Sequence, residues 1–327
     1  MNIIQNRIEM LRIEMEKYRL DAYYISGTDP HSSEYLPERW QTRRFISGFT
    51  GSYGVIIVTS KEAILWTDSR YFLQAEEQLQ GTGIQMQKLR VSNAVSPEEW
   101  LLQNLKSGSR VGIDTQTISV SSFRLFQNVL NGKNIVVAEV PDLLDLIWKN
   151  RPQLSQNPVF ELSPENTGLF RREKHEQLMH KLELRDADIQ VITMLDELAW
   201  LLNLRGSDID YNPVFTGYGW IEKDKTILFI DKNKVPDKVA ENLQNDDVEI
   251  KSYHEFYSFL KTVKGKRIFL DAGTACYSVF NLLKTENEII EGTSVAAHLK
   301  ARKNTVETEG FKKAMLKDGV ALVEFLA

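Results

Sequence analysis

The side chains able to do chemistry are few and scattered. The 327-residue chain holds five histidines, His31, His175, His180, His254 and His298, and one cysteine, Cys276. HExxH, HxH and CxxC spacings are all absent, so no local zinc-type ligand set is present. His175 and His180 stand five apart, off the i, i+4 spacing that places two imidazoles on one helix face, and in a charged segment they read as solvated. His31 lies beside Glu34 in a polar stretch, where a substrate or interface role is open to it. No GxSxG elbow presents a serine, and Cys276 has no base partner nearby in sequence, so it reads as a small buried hydrophobe. There is no Walker loop and no GxGxxG after a strand; NLRGSD and TGYG read as glycine turns. Asp68, Asp114, Asp231 and Asp271 fall at predicted strand ends, where turn capping is the expected role rather than metal binding. Arg70 follows WTDS directly after a strand, at the edge where α/β folds carry functional loops; it reads either as one arm of a surface salt bridge or as a binding residue.

These residues need elements to hold them. Residues 2–20 space Ile3, Ile4, Ile8, Leu11, Ile13, Met15 and Leu20 among charges, which predicts a helix with one polar face. DAYYISG (21–27) predicts a strand, TDPHSSEYLPERWQTRR (28–44) a long surface loop, and YGVIIVTS with EAILWTD two strands joined at Ser60-Lys61. SRYFLQAEEQLQ predicts a helix, IQMQKLR a strand, and SPEEWLLQNLKS a helix capped by Ser96 with acids in its first turn. A strand at RVGID, a helix ending at Gly132 and a strand at NIVVAEV follow. Residues 146–170, with three prolines, read as a linker.

Beyond the linker the pattern restarts. AILWTD (63–68) is matched by TILFID (226–231), SRVGID (109–114) by KRIFLD (266–271), and Phe49-Thr50-Gly51 by Phe215-Thr216-Gly217. Three ordered matches at similar spacing predict an internal duplication. Strands and helices alternating at short intervals make each half an α/β layered domain. Near 300 a third piece begins. Asn304 with Glu307 has the form of a capping box, and Phe311, Met315, Leu322, Val323, Phe325 and Leu326 give the following helix an apolar side. With no C-cap after it, the chain is expected to be part of a longer gene product.

Totals fit this reading. The chain is 42% hydrophobic and 26% charged, with 40 basic and 45 acidic residues and net charge −5. That supports a folded core and argues against nucleic-acid and anionic-membrane partners. A single cysteine and a charged N-terminus without an apolar leader read as a cytoplasmic protein. No apolar run approaches the ~20 residues of a membrane span.

The longer motifs resemble a known family. SEY, RRFISGFTGS and WTDSRYFLQA within residues 31–79 are similar to the first domain of the three-domain Xaa-Pro aminopeptidases (aminopeptidase P). LDELAWLLNLRGSDIDYNPVF (195–215) is similar to that family's second-domain signature, and KARKNTVETEGFKKAMLKDGVALVEFLA (300–327) to the helix that opens its catalytic domain. The resemblance implies two tandem creatinase N-terminal-like domains, at 1–160 and 161–302, and at 303–327 the first helix of a pita-bread domain. It implies an enzyme, commonly dimeric, that removes the residue preceding a proline. Two divalent metals, usually manganese, would sit on an Asp, Asp, His, Glu, Glu set that this chain lacks. The fragment is therefore expected to be inactive and to bind no metal, serving assembly and access to the cleft. Arg70 alone carries over, as a substrate-binding residue; LRGSD reads as a fold signature and domain contact. Two other readings stand beside this one: a metal-free binding module that kept the fold, and a creatinase-type hydrolase. The duplicated front end and NLRGSD favour aminopeptidase P over creatinase, whose front part is a single domain.

Overall fold

The computed structural model describes residues 2–327. It divides into two units, one comprising the chain up to Leu154 with Ala272–Asn281, the other Ser155–Asp271 with Leu282–Ala327.

Unit 1 is built on a mixed six-stranded sheet. Its strands are β1 (Ala22–Ile25), β2 (Val55–Thr59), β3 (Ala63–Thr67), β4 (Gln85–Lys88), β5 (Arg110–Ile113) and β6 (Val136–Glu139), in the order β4-β3-β2-β1-β5-β6. β2 runs antiparallel to β1 and β3; the other pairings are parallel. Every residue of β1 and β3 is buried, so both faces are covered. On one face α1 (Ile3–Lys17) starts at an Asn2–Gln5 capping box and buries Ile4, Ile8, Leu11 and Met15, one stripe of helical spacing. Each such side chain contributes roughly 1.5–3 kcal/mol on burial. Phe45 of α2 (Thr42–Ser47), Ala75 of α3 (Phe72–Gln78), and Leu143, Leu144 and Ile147 of α6 (Leu143–Ile147) join the same core. Trp100 of α4 (Pro97–Asn104) packs edge-on against Trp66, and Phe126 of α5 (Val120–Asn131) lies tilted against Tyr24.

Unit 2 repeats the plan. After β7 (Phe160–Glu161) and α7 (Pro164–Thr167), α8 (Arg171–Glu183) leads into β8 (Ile189–Ile192) and α9 (Leu195–Leu201), whose exit strand β9 (Leu204–Arg205) pairs with β7. β10 (Tyr218–Glu222), β11 (Lys225–Phe229), α10 (Asp237–Asn245), β12 (Val248–Lys251), α11 (Phe256–Leu260), β13 (Arg267–Leu270) and β14 (Glu288–Glu291) follow, with α12 (Tyr277–Leu283), most of which belongs to unit 1, between the last two. The sheet order is β12-β11-β10-β8-β13-β14, with the same parallel and antiparallel senses. α13 (Val295–Ala301) and the 22-residue α14 (Thr305–Leu326) close the chain.

The predicted duplication extends to single hydrogen bonds. Asp21 and Asp188 each take the amide of the first residue of a central strand, Arg110 or Arg267, on a carboxylate oxygen, and donate their own amide back to its carbonyl. Left-handed residues recur at equivalent places, Arg19 with Asp186 and Gly108 with Gly265. The Phe-Thr-Gly triplets, however, are not equivalent. Register pairs Val55 with Trp66 and Tyr218 with Phe229, which aligns Gly54, not Gly51, with Gly217. A Cβ on Gly54 would lie 2.7 Å from the Trp66 carbonyl, and one on Gly217 3.0 Å from that of Phe229. TGYG is correspondingly no turn: Tyr218 and Gly219 open β10. Within unit 1, Ser119 and Cys276 form an antiparallel bridge, flanked by Val120 N–H to Ala275 O and Tyr277 N–H to Ile118 O. The two pairing stretches stand at the same place in the repeat, each just after a central strand.

The expected surface loop at 28–44 is only partly one. Asp29 and His31 are each 1% exposed, Glu38–Trp40 forms a 3₁₀ turn, and α2 begins at Thr42. Asp29 Oδ1 accepts the amides of His31 and Ser33, which lets a polar segment go inside with its own donors answered.

Candidate functional site

At the end of β3 the sequence places Asp68, and the structure keeps it inside: its side chain is 3% exposed. The Asp68 carboxylate accepts the Arg70 backbone amide and a guanidinium fork, from Nε at 3.0 Å to Oδ1 and from Nη2 at 2.9 Å to Oδ2. The expected turn-capping role and the ion pair are thus one motif, and a short two-residue loop fixes a long side chain. Leu89, just after β4, donates its amide to Thr67 O, and Arg90 follows in a left-handed conformation (φ 58). Its Nη1 reaches 3.6 Å from Asp68 Oδ2. Tyr53 is set beside them because Thr67 Oγ1 donates to its carbonyl. The Arg70 and Arg90 guanidiniums sit 5.9 and 5.1 Å from the Tyr53 ring centre, and Arg70 lies 5.2 Å from that of Tyr71. Ser52 and Tyr71 share a hydroxyl hydrogen bond of 2.7 Å.

Beneath this platform Arg43 is a staple. It is buried and donates to the carbonyls of Gly27, Gly51 and Gly54, tying the glycine segment before β2 to the end of β1. Burial brings its guanidinium down to about 10. Gly51 leaves no room for a Cβ, which would overlap the Phe49 and Tyr71 rings.

The electrostatics fix the charge states. Hydrogen bonding to Arg70 holds the Asp68 carboxyl below its ordinary range, and the same bond raises Arg70; Glu34 adds to the field that raises it. A permanently ionised pair does no proton transfer, so the platform can bind and orient but not act as acid or base. Sequence reading found Arg70 and missed Arg90, because nothing local marks a residue brought in from another strand end.

The other expected residues are structural. Asp114 Oδ1 takes the Gln116 amide and Asp231 Oδ1 that of Asn233, as turn caps, while Asp271 Oδ2 takes the distant Ser294 amide. His175, expected to be solvated, hydrogen-bonds the Glu222 carbonyl through Nε2 at 2.9 Å; His180 is exposed. In the LRGSD segment Arg205 donates to the carbonyls of Ala199 and Leu204. Asp208 accepts the Thr216 amide and pairs with Lys234, both side chains buried. Buried Lys174 donates to Trp200 O and Asn203 Oδ1, and burial lowers it to about 8. Glu197 is a buried acid bonded to Ser294 Oγ; desolvation raises it to about 7. Among the described residues no group of three or more His, Cys, Asp or Glu side chains could hold a metal ion, and no helix is long and apolar enough to cross a membrane.

Comparison with known proteins places the chain. Models of the creatinase/prolidase N-terminal domain match it twice, over residues 7–147 and 150–307. The chain belongs to that family. It is 36% identical to Xaa-Pro aminopeptidase 1 of Dictyostelium discoideum, over 99% of this chain and 53% of that protein. It is 35% identical to Xaa-Pro aminopeptidase app-1 of Caenorhabditis elegans, over 93% of this chain and 51% of that one. The crystal structure of the X-prolyl aminopeptidase from Caenorhabditis elegans, described as a cytosolic enzyme with a di-nuclear active site, superimposes with a TM-score of 0.93 at 32% identity. It is covered over 55% of its length by 99% of this chain. The chain therefore spans about half the length of the relatives it matches.

Proposed function

We propose that this chain is the non-catalytic amino-terminal part of a metal-dependent, cytoplasmic Xaa-Pro aminopeptidase, acting in assembly of a homodimer and in access to the cleft. One observation carries the reading: both repeats align in order with Xaa-Pro aminopeptidases across nearly the whole of this chain, yet over only half of theirs. The substrates would be peptides with proline second, whose imide lacks an N–H and whose φ is fixed, so that ordinary aminopeptidase sites handle them badly.

The catalytic part of such an enzyme would hold two divalent ions, manganese on this reading, which polarise the scissile carbonyl and supply hydroxide. The residues of this chain do not fit that pair, since the strand-end aspartates Asp68, Asp114, Asp231 and Asp271 are committed to backbone amides and to arginine; no step is assigned to them. Arg70 is the residue assigned to substrate, holding a fixed positive charge at a sheet edge. Residues 303–327 are assigned to the opening of the catalytic domain. Phe311, Met315, Leu316, Leu322, Val323 and Phe325 of α14 are exposed, as suits a helix built to pack against further chain.

The purified chain, given manganese and an Arg-Pro-Pro peptide, should release no arginine above blank. Release of arginine at a rate proportional to chain concentration would overturn the reading.

A further inference from the structure

We propose that Arg90 and Arg70 act as a pair that captures a peptide carboxylate, and that Arg90 is the member that engages it. The proposal rests on the reading of Arg70 as substrate-facing and extends it to a second residue and a ligand group.

Asp68 answers only one of the two guanidiniums. The Arg70 fork occupies both carboxylate oxygens, and the Arg70 amide takes Oδ1 as well. Arg90 stands at 3.6 Å, close enough for charge attraction, and among the described residues its side chain makes no hydrogen bond. It is held by that attraction and by the Tyr53 face, with its N–H groups turned to no protein acceptor. Its side chain is 69% exposed and that of Arg70 55%. Two cations stand over one buried anion; Glu34, the further acid that acts on Arg70, does so through charge alone and forms no ion pair with either guanidinium among the described residues.

The backbone also points this way. A left-handed arginine is disfavoured by roughly 1–2 kcal/mol relative to the ordinary conformation, and Arg90 adopts it just after β4, with its guanidinium 3.6 Å from Asp68 at the end of β3. A planar guanidinium with unsatisfied parallel donors matches a carboxylate in two-point contact. The Tyr53 and Tyr71 rings beside it supply flat apolar surface for the residue that bears the carboxylate.

The source of that carboxylate is either the C-terminus of a short peptide or an acidic side chain, and three probes separate them: Arg-Pro-Pro free acid, its carboxamide, and Arg-Pro-Glu carboxamide. Each is titrated into the isotope-labelled chain at low salt while the arginine Nε–H resonances are followed. The free acid should bind at least about 5-fold tighter than its carboxamide, and Arg-Pro-Glu carboxamide should recover the difference if side-chain acids are also taken. Arg90→Gln should abolish the acid-to-amide preference, and Arg90→Lys should restore part of it through point charge alone. Arg90 is itself exposed and Asp68 keeps its Arg70 fork, so circular dichroism should match the parent. Equal binding of acid and amide, or a preference that survives Arg90→Gln, overturns the pair. If binding depends on Arg70 but not on Arg90 or the terminal charge, the pair fails while Arg70 keeps its assigned role. No binding by any probe up to about 10 mM, or binding indifferent to both arginines, counts against both.

Discussion

The two repeats put an aspartate at the same strand ends and make different things of it. Asp68 follows β3 and Asp231 follows β11 at the matching position. Two residues on, unit 1 has Arg70 and unit 2 has Asn233. In both, the carboxylate caps the loop by taking the amide of that residue. Only in unit 1 does the side chain then fold back and present a guanidinium; in unit 2 Asp231 takes Gln156 Nε2 instead. The backbone plan is common property of the repeats, while the chemistry rests on one side chain in a loop whose geometry is the same with or without it. Both units bury charge, Arg43, Asp68 and Asp114 in unit 1 and Lys174, Glu197, Asp208 and Lys234 in unit 2, but in unit 2 the lysine Lys234 and its acid Asp208 are both buried.

That contrast can be broken at four points. The largest effect should come from Lys234→Ala, which strands buried Asp208. Urea unfolding should register a loss of about 3–5 kcal/mol, the usual result of removing one partner of a buried pair. A loss below 1 kcal/mol would mean that water reaches the pair.

Next comes a pH dependence expected in both units. Burial, with Asp142 nearby, raises the Asp114 carboxyl from 3.8 to about 7. Between these values the folded state binds more protons than the unfolded one, so stability falls as pH rises, by at most about 1.4 kcal/mol per pH unit per group. Arg151 pulls the other way and is outweighed. Glu197, raised from 4.5 to about 7, adds the same sign in unit 2. Unfolding midpoints measured between about pH 5 and 8 should drop, and Asp114→Asn and Glu197→Gln should each flatten the slope.

The glycines test the alignment of the repeats. Gly54→Ala forces a Cβ against a backbone carbonyl and should cost about 1–3 kcal/mol by thermal unfolding. Gly217→Ala should cost less, because its carbonyl neighbour is farther away, at 3.0 against 2.7 Å, while the next atom at each site is a leucine methyl at 3.2 Å. The reverse order would argue that the two glycines are not equivalent. The smallest effect is expected from Arg70→Gln. It should lower the unfolding midpoint slightly at neutral pH, and the deficit should close as acid protonates Asp68, because only the ionised carboxylate gains from the partner that keeps it low.

Much of the fold was legible because it is written in period and punctuation: the stripe of α1, the capping boxes at Ser96 and Asn304, and the strand pairs AILWTD and TILFID. The Phe-Thr-Gly match misled because identical letters sit three residues out of register, and only cross-strand pairing fixes register. Buried charges were illegible for a related reason. Lys174 and Lys234 look like surface residues until the acceptors that satisfy them, Asn203 and Asp208, are brought in from other segments. The site was half legible. Arg70 is marked by its strand end, whereas Arg90 becomes visible only when β4 is laid beside β3.

α14 has a mechanical consequence. Its root is pinned where Asn304 Nδ2 donates to the Thr167 carbonyl and Trp200 Nε1 donates to Glu307, and Gly168 is packed so closely that any side chain there would strike Asn304. Twenty-two residues at 1.5 Å each make a rod of about 33 Å. A rod that long swings its far end by about 0.6 Å for every degree of tilt at the fulcrum. A methyl at residue 168 would strike first the Asn304 amide that caps this helix and ties it to Thr167, so this glycine guards the anchorage of the rod.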